Sequence, residues 1–213
     1  ENAEAAVAND ITLTVDTEAL AREISDAALR TGKAPVPVHI KVDSGMHRFG
    51  LAPSEVATLA ARVGELKGVA LEGIWTHLAN ADQQDDSFTI QQNTLVEEAV
   101  QLAGPVPIRH IANTATTIRR PEFRYDAVRT GLGLYGALPG HTPNPGLQRV
   151  LSMKARLARV FEVGPGEGVS YGLTWRAERP SRLALVPIGY ADGYHRALSN
   201  RGQVLTGGYR CPI

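Results

Sequence analysis

The sequence predicts an α/β protein in which a parallel β-sheet with its helices is followed by an all-β domain. Between residues 11 and 136, short β-branched runs alternate with helical stretches, as in βα units on a parallel sheet. Residues 138–146 are dense in Pro and Gly and indicate a linker. Beyond them the helical period is lost, and short apolar runs are separated by turns. We therefore predict two domains, residues 1–138 and 147–213.

The first domain has predicted strands at residues 11–15, 36–43, 69–76, 108–112 and 127–130. A closed (β/α)8 barrel needs eight strands and about 200 residues or more. The five strands therefore either belong to a larger barrel or form an open sheet. An isolated arc of parallel strands would leave two edges unpaired, which favours aggregation.

Helices are predicted between these strands, over residues 17–31, from Pro53 onwards and over residues 85–102. The first helix places Leu20, Ile24 and Leu29 near one face. It ends at Gly32, because glycine adopts the left-handed conformation that closes many helices.

The second domain is predicted to be all-β. Its strands are expected at residues 151–163, 169–175, 182–188 and 203–206. Turns such as Gly164-Pro165-Gly166 separate them.

Composition argues against several classes of function. With 43% hydrophobic residues among 213, the chain can bury a core and is expected to be globular and soluble. Its 22 basic and 22 acidic side chains leave no excess charge to attract nucleic acid or an anionic membrane. No apolar run approaches the ~18 residues of a membrane span. The single cysteine, Cys211, suits a reducing compartment, so we expect a cytoplasmic protein.

Polar motifs follow the predicted strands, at the rim where α/β barrels carry their active sites. They are KVDSGMHRFG (41–50), WTHLANAD (75–82), RHIANTAT (109–116) and VRTGLGLYG (128–136), with GVSYG (168–172) and PIGYADGYHR (187–196) in the second domain. Each alone has a structural explanation, since Asp-Ser-Gly is a common turn and a histidine at a strand end is more often structural. Their order and spacing carry the functional prediction.

Taken together, these motifs resemble those of the alanine racemases from about residue 11 to residue 213. The resemblance implies a TIM-like (β/α)8 barrel, of which this chain carries the C-terminal part, followed by the start of a β domain. It implies the cofactor pyridoxal 5'-phosphate (PLP) and a homodimer in which the β domain completes the second subunit's active site. The implied reaction interconverts L- and D-alanine by two-base transfer of the Cα proton, which supplies D-alanine for peptidoglycan.

Two loops are the predicted contacts for the cofactor phosphate. The strands at 108–112 and 127–130 would be the last two of the barrel, and the loops after those strands commonly hold phosphate. Thr114 offers a hydroxyl and an N–H at a predicted helix start, while Gly131 lets bare backbone approach an anion. The resemblance assigns this contact to Asn113, Thr114, Gly131 and Leu132. The structural alternative is an N-cap followed by a tight turn.

Arg129 matches the arginine that the family places against the PLP ring nitrogen. A guanidinium can only donate hydrogen bonds, so the ring nitrogen must accept and stay unprotonated. This weakens the ring as an electron sink and is expected to disfavour transamination.

Tyr171 matches the tyrosine that acts as one of the two bases, from the partner subunit. A phenol with an ordinary pKa near ~10 is a poor base at neutral pH unless cations stabilise the phenolate. His77 and Arg129 are the candidates to do so. The alternative is that Tyr171 merely packs across a dimer contact.

Arg48 matches the arginine near the substrate carboxylate, a task suited to a planar fork of donors. Lys41 would lie close to it, and two adjacent cations repel each other. Many relatives carry a carbamate on this lysine, which reverses its charge, and we take the same for Lys41 as a hypothesis. Tyr190 matches the tyrosine at the inner gate of the substrate channel.

Other positions carry weaker expectations. Arg196 and Asp82 match positions near the channel entrance but could equally be solvated surface charges. No role is predicted for His47, His110 or Cys211, and no metal site is predicted.

The sequence departs from the family in two places. The family's PLP-binding lysine lies in a motif resembling A-V-V-K-A-N-A-Y-G-H-G, which is absent from these 213 residues, as is its C-terminal C-M-D segment. The lysines present are Lys33, Lys41, Lys67 and Lys154. Three hypotheses follow: part of an active alanine racemase, a non-catalytic truncated fragment, or a related PLP barrel racemase or decarboxylase. This segment alone is expected to be inactive.

Overall fold

The computed structural model describes residues 2–213 of the chain. Contacts between residues divide it into two units, of which unit 1 ends at Leu151 and unit 2 runs Ser152–Ile213.

Unit 1 is built around one parallel sheet. Its strands, in spatial order, are β1 (Leu13–Val15), β2 (Val36–Lys41), β3 (Val69–Trp75) and β4 (Ile108–His110). Its helices are α1 (Asn2–Ala8), α2 (Glu18–Thr31), α3 (Val56–Glu65), α4 (Ser87–Ala103) and α5 (Thr114–Arg119). Every neighbouring pair of these strands is parallel, which confirms the predicted βα organisation and gives part of a barrel.

The fifth predicted strand was wrong. Residues 127–130 form only an isolated bridge, between Ala112 and Val128, beside which the Arg129 N–H donates to the Ala112 carbonyl at 2.8 Å. The chain then turns at once into a short 3-10 helix, Leu132–Tyr135. Glycines in this turn favour it over continued pairing, because glycine weakens a strand.

Helix α2 begins and ends as its sequence indicates. The Thr17 side chain accepts from the Leu20 N–H, and Gly32 closes the helix with a φ of 71°. The buried face is formed by Ile24 with neighbouring alanines, whereas Leu29 is 51% exposed. The prediction for Leu29 was therefore wrong, because the small alanines, and not the larger leucine, face the sheet.

A one-residue bulge interrupts the pairing of β2 with β3. Val38 pairs with Leu71 but His39 pairs with Gly73, so Glu72 is the extra residue of β3. A bulge re-aims the side chains that follow it.

The core of unit 1 lies between this sheet and its helices. Ile24, Val38, Ile40, Val63 and Ile74 are fully buried. Each such side chain contributes about 1.5–3 kcal/mol by leaving water. This packing holds the strand ends that carry the candidate site.

Unit 2 is all-β, as predicted. Its strands form three antiparallel pairs: β5 (Arg159–Val163) with β8 (Ser181–Leu185), β6 (Gly168–Val169) with β7 (Trp175–Arg176), and β9 (Gln203–Thr206) with β10 (Tyr209–Pro212). The strand predicted at 169–175 is broken by a 3-10 turn, Tyr171–Leu173. Only the last five residues of the strand predicted at 151–163 are extended in a ladder. Across the described part of the chain, no helix combines the length and apolar character that crossing a membrane requires.

Candidate active site

Three strands of unit 1 end on residues that lie side by side. Lys41 pairs with Trp75, and Trp75 pairs with His110, each being the last residue of its strand. The Trp75 and His110 rings stack with their centroids 5.5 Å apart and their planes 12° from parallel. Residues in register share one face of a sheet. This row, which we call the floor, lies at the carboxyl ends of the strands, where barrel enzymes hold their substrates.

Arg129 lies over the floor and is held by three hydrogen bonds. Its Cζ is 4.4 Å from the Trp75 ring centroid. Nη1 donates to the His110 carbonyl at 2.8 Å and to His110 Nδ1 at 2.5 Å, and Nη2 donates to the Thr76 carbonyl at 2.7 Å. A guanidinium has five N–H donors. Two of them, including Nε–H, have no acceptor among residues 2–213 and remain available to a ligand.

The charge on Arg129 persists in this setting. Burial lowers the pKa of Arg129 to about 10. The group therefore stays protonated at neutral pH and acts only as a donor.

His110 continues the hydrogen bonding away from Arg129. Because Arg129 donates to Nδ1, the His110 proton is on Nε2, which donates to His39 Nδ1 at 2.8 Å. The proton of His39 is then on Nε2, which donates to Glu72 Oε2 at 2.9 Å. Burial, and then the charges of Arg129 and His39, lower the pKa of His110 to about 4. The chain of bonds thus supports a neutral His110 beneath a charged Arg129.

Sequence reasoning missed His39, Glu72 and Trp75 and assigned no role to His110. The sequence contained one indication of this role: His39 and Lys41 are two residues apart on β2 and therefore face the same side. It needed the register across three strands, and the bulge at Glu72, to become informative.

Gly73 makes room for this arrangement. A Cβ added at Gly73 would lie 2.7 Å from Nδ1 and 2.8 Å from Cε1 of His39. The His39 ring therefore crosses β3 where only glycine leaves space.

Lys41 is fully buried beneath the loop at residues 42–50. Its Nζ donates to the Phe49 carbonyl and lies 4.2 Å from the centroid of the Phe49 ring. Burial lowers the pKa of Lys41, Asp43 opposes this, and the charge of Arg48 adds to it. The amine is thus more readily neutral than an ordinary lysine.

His77 shares a positive field with the other predicted residues of unit 1. Its pKa is lowered first by burial and then by the charges of Arg129, Arg48 and Lys41. The structure therefore brings four of the predicted residues into one electrostatic neighbourhood, although Arg48 itself is exposed. Like charges this close favour the binding of an anion.

Thr114 joins the two loops predicted to hold phosphate. Its Oγ1 accepts from the Gly131 N–H at 3.1 Å and from the Gly133 N–H at 3.2 Å. No acceptor for its own hydroxyl proton occurs within residues 2–213. Both amide protons are thus taken up by the Thr114 oxygen, and the Thr114 O–H is the donor left for a ligand. A Cβ on Gly131 would meet open space. A free O–H beside open backbone can donate to an anion.

The other two predicted phosphate contacts have different surroundings. Asn113 Oδ1 accepts from the Thr116 N–H at 3.0 Å and so caps α5. Leu132 is 51% exposed at the start of the 3-10 helix.

Tyr171 lies in unit 2 on a strained turn. Its side chain is 91% exposed. Ser170, Gly172 and Leu173 all have positive φ, at 65°, 74° and 48°. Positive φ is costly for residues other than glycine and is often kept at functional positions. The turn thus holds a phenol out into solvent.

Three predicted positions remain: Tyr190, Arg196 and Asp82. In unit 2, Tyr190 is 63% exposed and Arg196 is exposed. In unit 1, Asp82 is half-buried and its carbonyl accepts from the His141 N–H at 2.7 Å. His47, for which no role was predicted, has a side chain that is 86% exposed.

Two family models match the chain. The model described as "Alanine racemase, N-terminal domain" matches residues 1–139, and "Alanine racemase, C-terminal domain" matches residues 150–213. The chain belongs to the alanine racemase family. This favours a racemase over the decarboxylases considered from the sequence.

Relatives within the alanine racemase family cover almost all of the chain. An alanine racemase of Desulfovibrio desulfuricans is 44% identical over 97% of this chain, which covers 57% of that protein. The crystal structure of alanine racemase from E. faecalis is 32% identical, with a TM-score of 0.88 over 99% of this chain and 58% of the other. That of Bartonella henselae, described with covalently bound pyridoxal phosphate, is 28% identical with a TM-score of 0.83, covering 99% and 58%. The chain spans about half the length of the curated relatives it matches.

Proposed function

We propose that the full-length gene product is a PLP-dependent alanine racemase that interconverts L- and D-alanine. The observation that carries this is Arg129, a charged donor fixed over the floor with two N–H groups left for a ligand. The product D-alanine would serve peptidoglycan synthesis in the cytoplasm.

The donor set of unit 1 fits PLP. The Thr114 hydroxyl, with the open backbone at Gly131, suits the phosphate, and Arg129 suits an unprotonated ring nitrogen. When bound, PLP withdraws electrons from Cα and so makes its proton removable. Asn113 and Leu132 would complete the phosphate loops.

The substrate carboxylate would be bound by Arg48, whose planar fork matches it. Tyr190 would border the substrate. The charges of Arg129 and Arg48 produce a positive field at this end of the sheet, which lowers the pKa of His77 and favours an anionic substrate group. His77 and Lys41 would lie beside the substrate within that field.

Proton transfer requires one base on each face of Cα. Tyr171 would be one of them, provided by a second copy of the chain, with its phenolate stabilised by His77 and Arg129. Its 91% exposure on a strained turn supports a role outside its own unit. The second base would be the family's PLP lysine, whose motif is not among these 213 residues.

The first test uses the full-length protein with PLP. We expect a visible cofactor absorbance and formation of D-alanine from L-alanine. Arg129→Lys keeps the charge but loses the planar fork, so racemisation should fall and pyruvate from transamination should rise. Arg109→Lys, at a partly exposed arginine of β4, is the matched control and should change neither. An unmodified protein that binds no PLP and forms no D-alanine would overturn the proposal.

The second test addresses the shared site. In a hybrid dimer of an Arg129→Lys subunit with a Tyr171→Phe subunit, one site would contain both intact residues. We therefore expect mixing of the two weakly active variants to restore activity. If mixing restores nothing although hybrids form, Tyr171 does not act across the dimer.

A further inference from the structure

Gln92 is a fully buried polar side chain in the middle of α4. Its Oε1 accepts from the Ala79 N–H at 2.9 Å, and its Nε2 donates to the His77 carbonyl at 3.3 Å and to Ser44 Oγ at 3.2 Å. A backbone N–H can only donate and a carbonyl can only accept. The orientation of the amide is therefore fixed, and both of its ends are occupied.

The bonds beyond Gln92 have a fixed direction. Thr76 Oγ1 donates its single proton to the Val42 carbonyl at 2.8 Å. It must then accept from Ser44 Oγ, 2.8 Å away, so that Ser44 donates to Thr76 and accepts from Gln92. The chain of donors runs one way, from Gln92 through two hydroxyls to Val42.

These bonds connect two rim segments that carry predicted site residues. One is the loop at residues 42–50, held through Ser44, which includes Arg48. The other is residues 76–79, held through His77 and Ala79. The Thr76 carbonyl in this second segment accepts from Arg129 Nη2 at 2.7 Å.

We propose that Gln92 is a positioning residue that locks the 42–50 and 76–79 segments together and thereby aims Arg129 and Arg48 at the cofactor and substrate. This deepens the proposed racemase function and rests on it. Filling the space needs no amide, since an apolar side chain of similar size would bury without hydrogen bonds. An amide that bonds two separate segments instead fixes their relative position, because an unmade bond there leaves a buried group unsatisfied.

Paired variants of the full-length protein test this. Gln92→Glu keeps the shape but turns a donor toward the His77 carbonyl into an acceptor, and Gln92→Leu removes both functions. Gln91→Glu and Gln91→Leu are matched controls, since Gln91 is the exposed neighbour on α4. Thr76→Val removes the hydroxyl while keeping the shape, and Thr76→Ser retains it.

The first readout is amide hydrogen exchange, which requires no activity. We expect exchange at residues 42–50 and 76–79 to accelerate together, by about tenfold, in the Gln92 variants and in Thr76→Val, with α3 unchanged. Thr76→Ser and both Gln91 variants should match the unmodified protein. Equal acceleration throughout unit 1 would show that Gln92 only packs the core, and would overturn the inference.

The second readout is the affinity for PLP together with kcat at saturating PLP. We expect both to fall by about tenfold in the Gln92 variants and Thr76→Val, as small misplacements in active sites do, and Thr76→Ser to retain both. Unchanged exchange, PLP affinity and kcat in the Gln92 variants of an active racemase would overturn this inference alone. Absence of racemisation in the unmodified protein would instead overturn the proposed function.

Discussion

Arg129 is bonded to both the ring and the backbone of His110, through Nη1 to Nδ1 at 2.5 Å and to the carbonyl oxygen at 2.8 Å. Since a guanidinium only donates, this contact requires an unprotonated Nδ1. Protonation of that nitrogen would set two positive groups against each other. The contact is therefore sensitive to acid.

The free energy of unfolding should consequently decrease in acid, because His110 becomes protonated. Its folded-state pKa is lowered from 6.5 to about 4, so between these values the unfolded chain binds the proton and the folded chain does not. Neutral His110 makes its full contribution to the unfolding free energy above pH 6.5, and this contribution is lost as pH falls toward 4. It amounts to at most about 3 kcal/mol. His110→Gln should flatten the dependence of the unfolding free energy on pH in this range. The unfolding free energy is measured by urea denaturation at several pH values.

The control for this measurement is His141→Gln, an exposed imidazole of the same unit. Its slope should equal that of the unmodified protein. An undiminished slope in His110→Gln would show that the acid sensitivity arises elsewhere.

Gly73→Ala should weaken PLP binding without unfolding the sheet. The new methyl group would lie 2.7 Å from His39 Nδ1, so the ring must move and lose its 2.8 Å bond to His110. Loss of one such bond is worth ~1 kcal/mol, or about fivefold in affinity. The affinity is measured by titration with PLP, monitored by absorbance. Gly64→Ala, where a Cβ meets open space, should have no effect.

A double substitution makes the test of Gly73 specific. In a His39→Ala background there is no ring to displace, so Gly73→Ala should add no further loss. Additive losses would contradict the role of His39 in supporting His110.

Lys41 should carry a carbamate in the presence of bicarbonate. Burial lowers its pKa, so its neutral amine can attack CO2, releasing the N–H proton to solvent and leaving a carboxylate on Nζ. The extent should increase with pH, because more amine is then neutral. Labelled bicarbonate and NMR of the full-length protein would detect one such group, which Lys41→Met should abolish. Exposed Lys67, changed to Met, should leave the signal intact.

Tyr171→Phe should slow racemisation by about 100-fold or more, the usual contribution of a general base. PLP affinity and the unfolding free energy should be unchanged, since the side chain is 91% exposed. Conversion is measured from each enantiomer by circular dichroism. Tyr209→Phe, which is 77% exposed in the same unit, is the control. A rate close to that of the unmodified protein would exclude Tyr171 as a base.

Much of the fold follows from local patterns, because helix and strand periodicity record which face is buried. The errors arose where tertiary context decides. The stretch at 127–130 has strand-like residues but meets only one partner, at Ala112. Leu29 fits the helical period but lies beside a face already filled by alanines.

For the candidate site, the motifs predicted Arg129, Thr114 and Gly131, whose surroundings suit PLP. They could not identify His39, Glu72 or Gln92, because what these residues do depends on contacts between distant parts of the chain. His39 lies 71 residues from its partner His110, and Glu72 lies 33 residues from its partner His39. Gln92 lies 48 residues from its partner Ser44. No local window contains such pairs.

The bulge at Glu72 shifts the register of β3 by one residue, so it determines which side chains after it face the site. If Glu72 paired with His39 instead of bulging, Ile74 rather than Trp75 would stand opposite Lys41. The indole would then point toward the helices, and an aliphatic group would meet the guanidinium. Pairing Glu72 with His39, which would close the bulge, would therefore leave the strands paired but turn the wrong side of β3 inward.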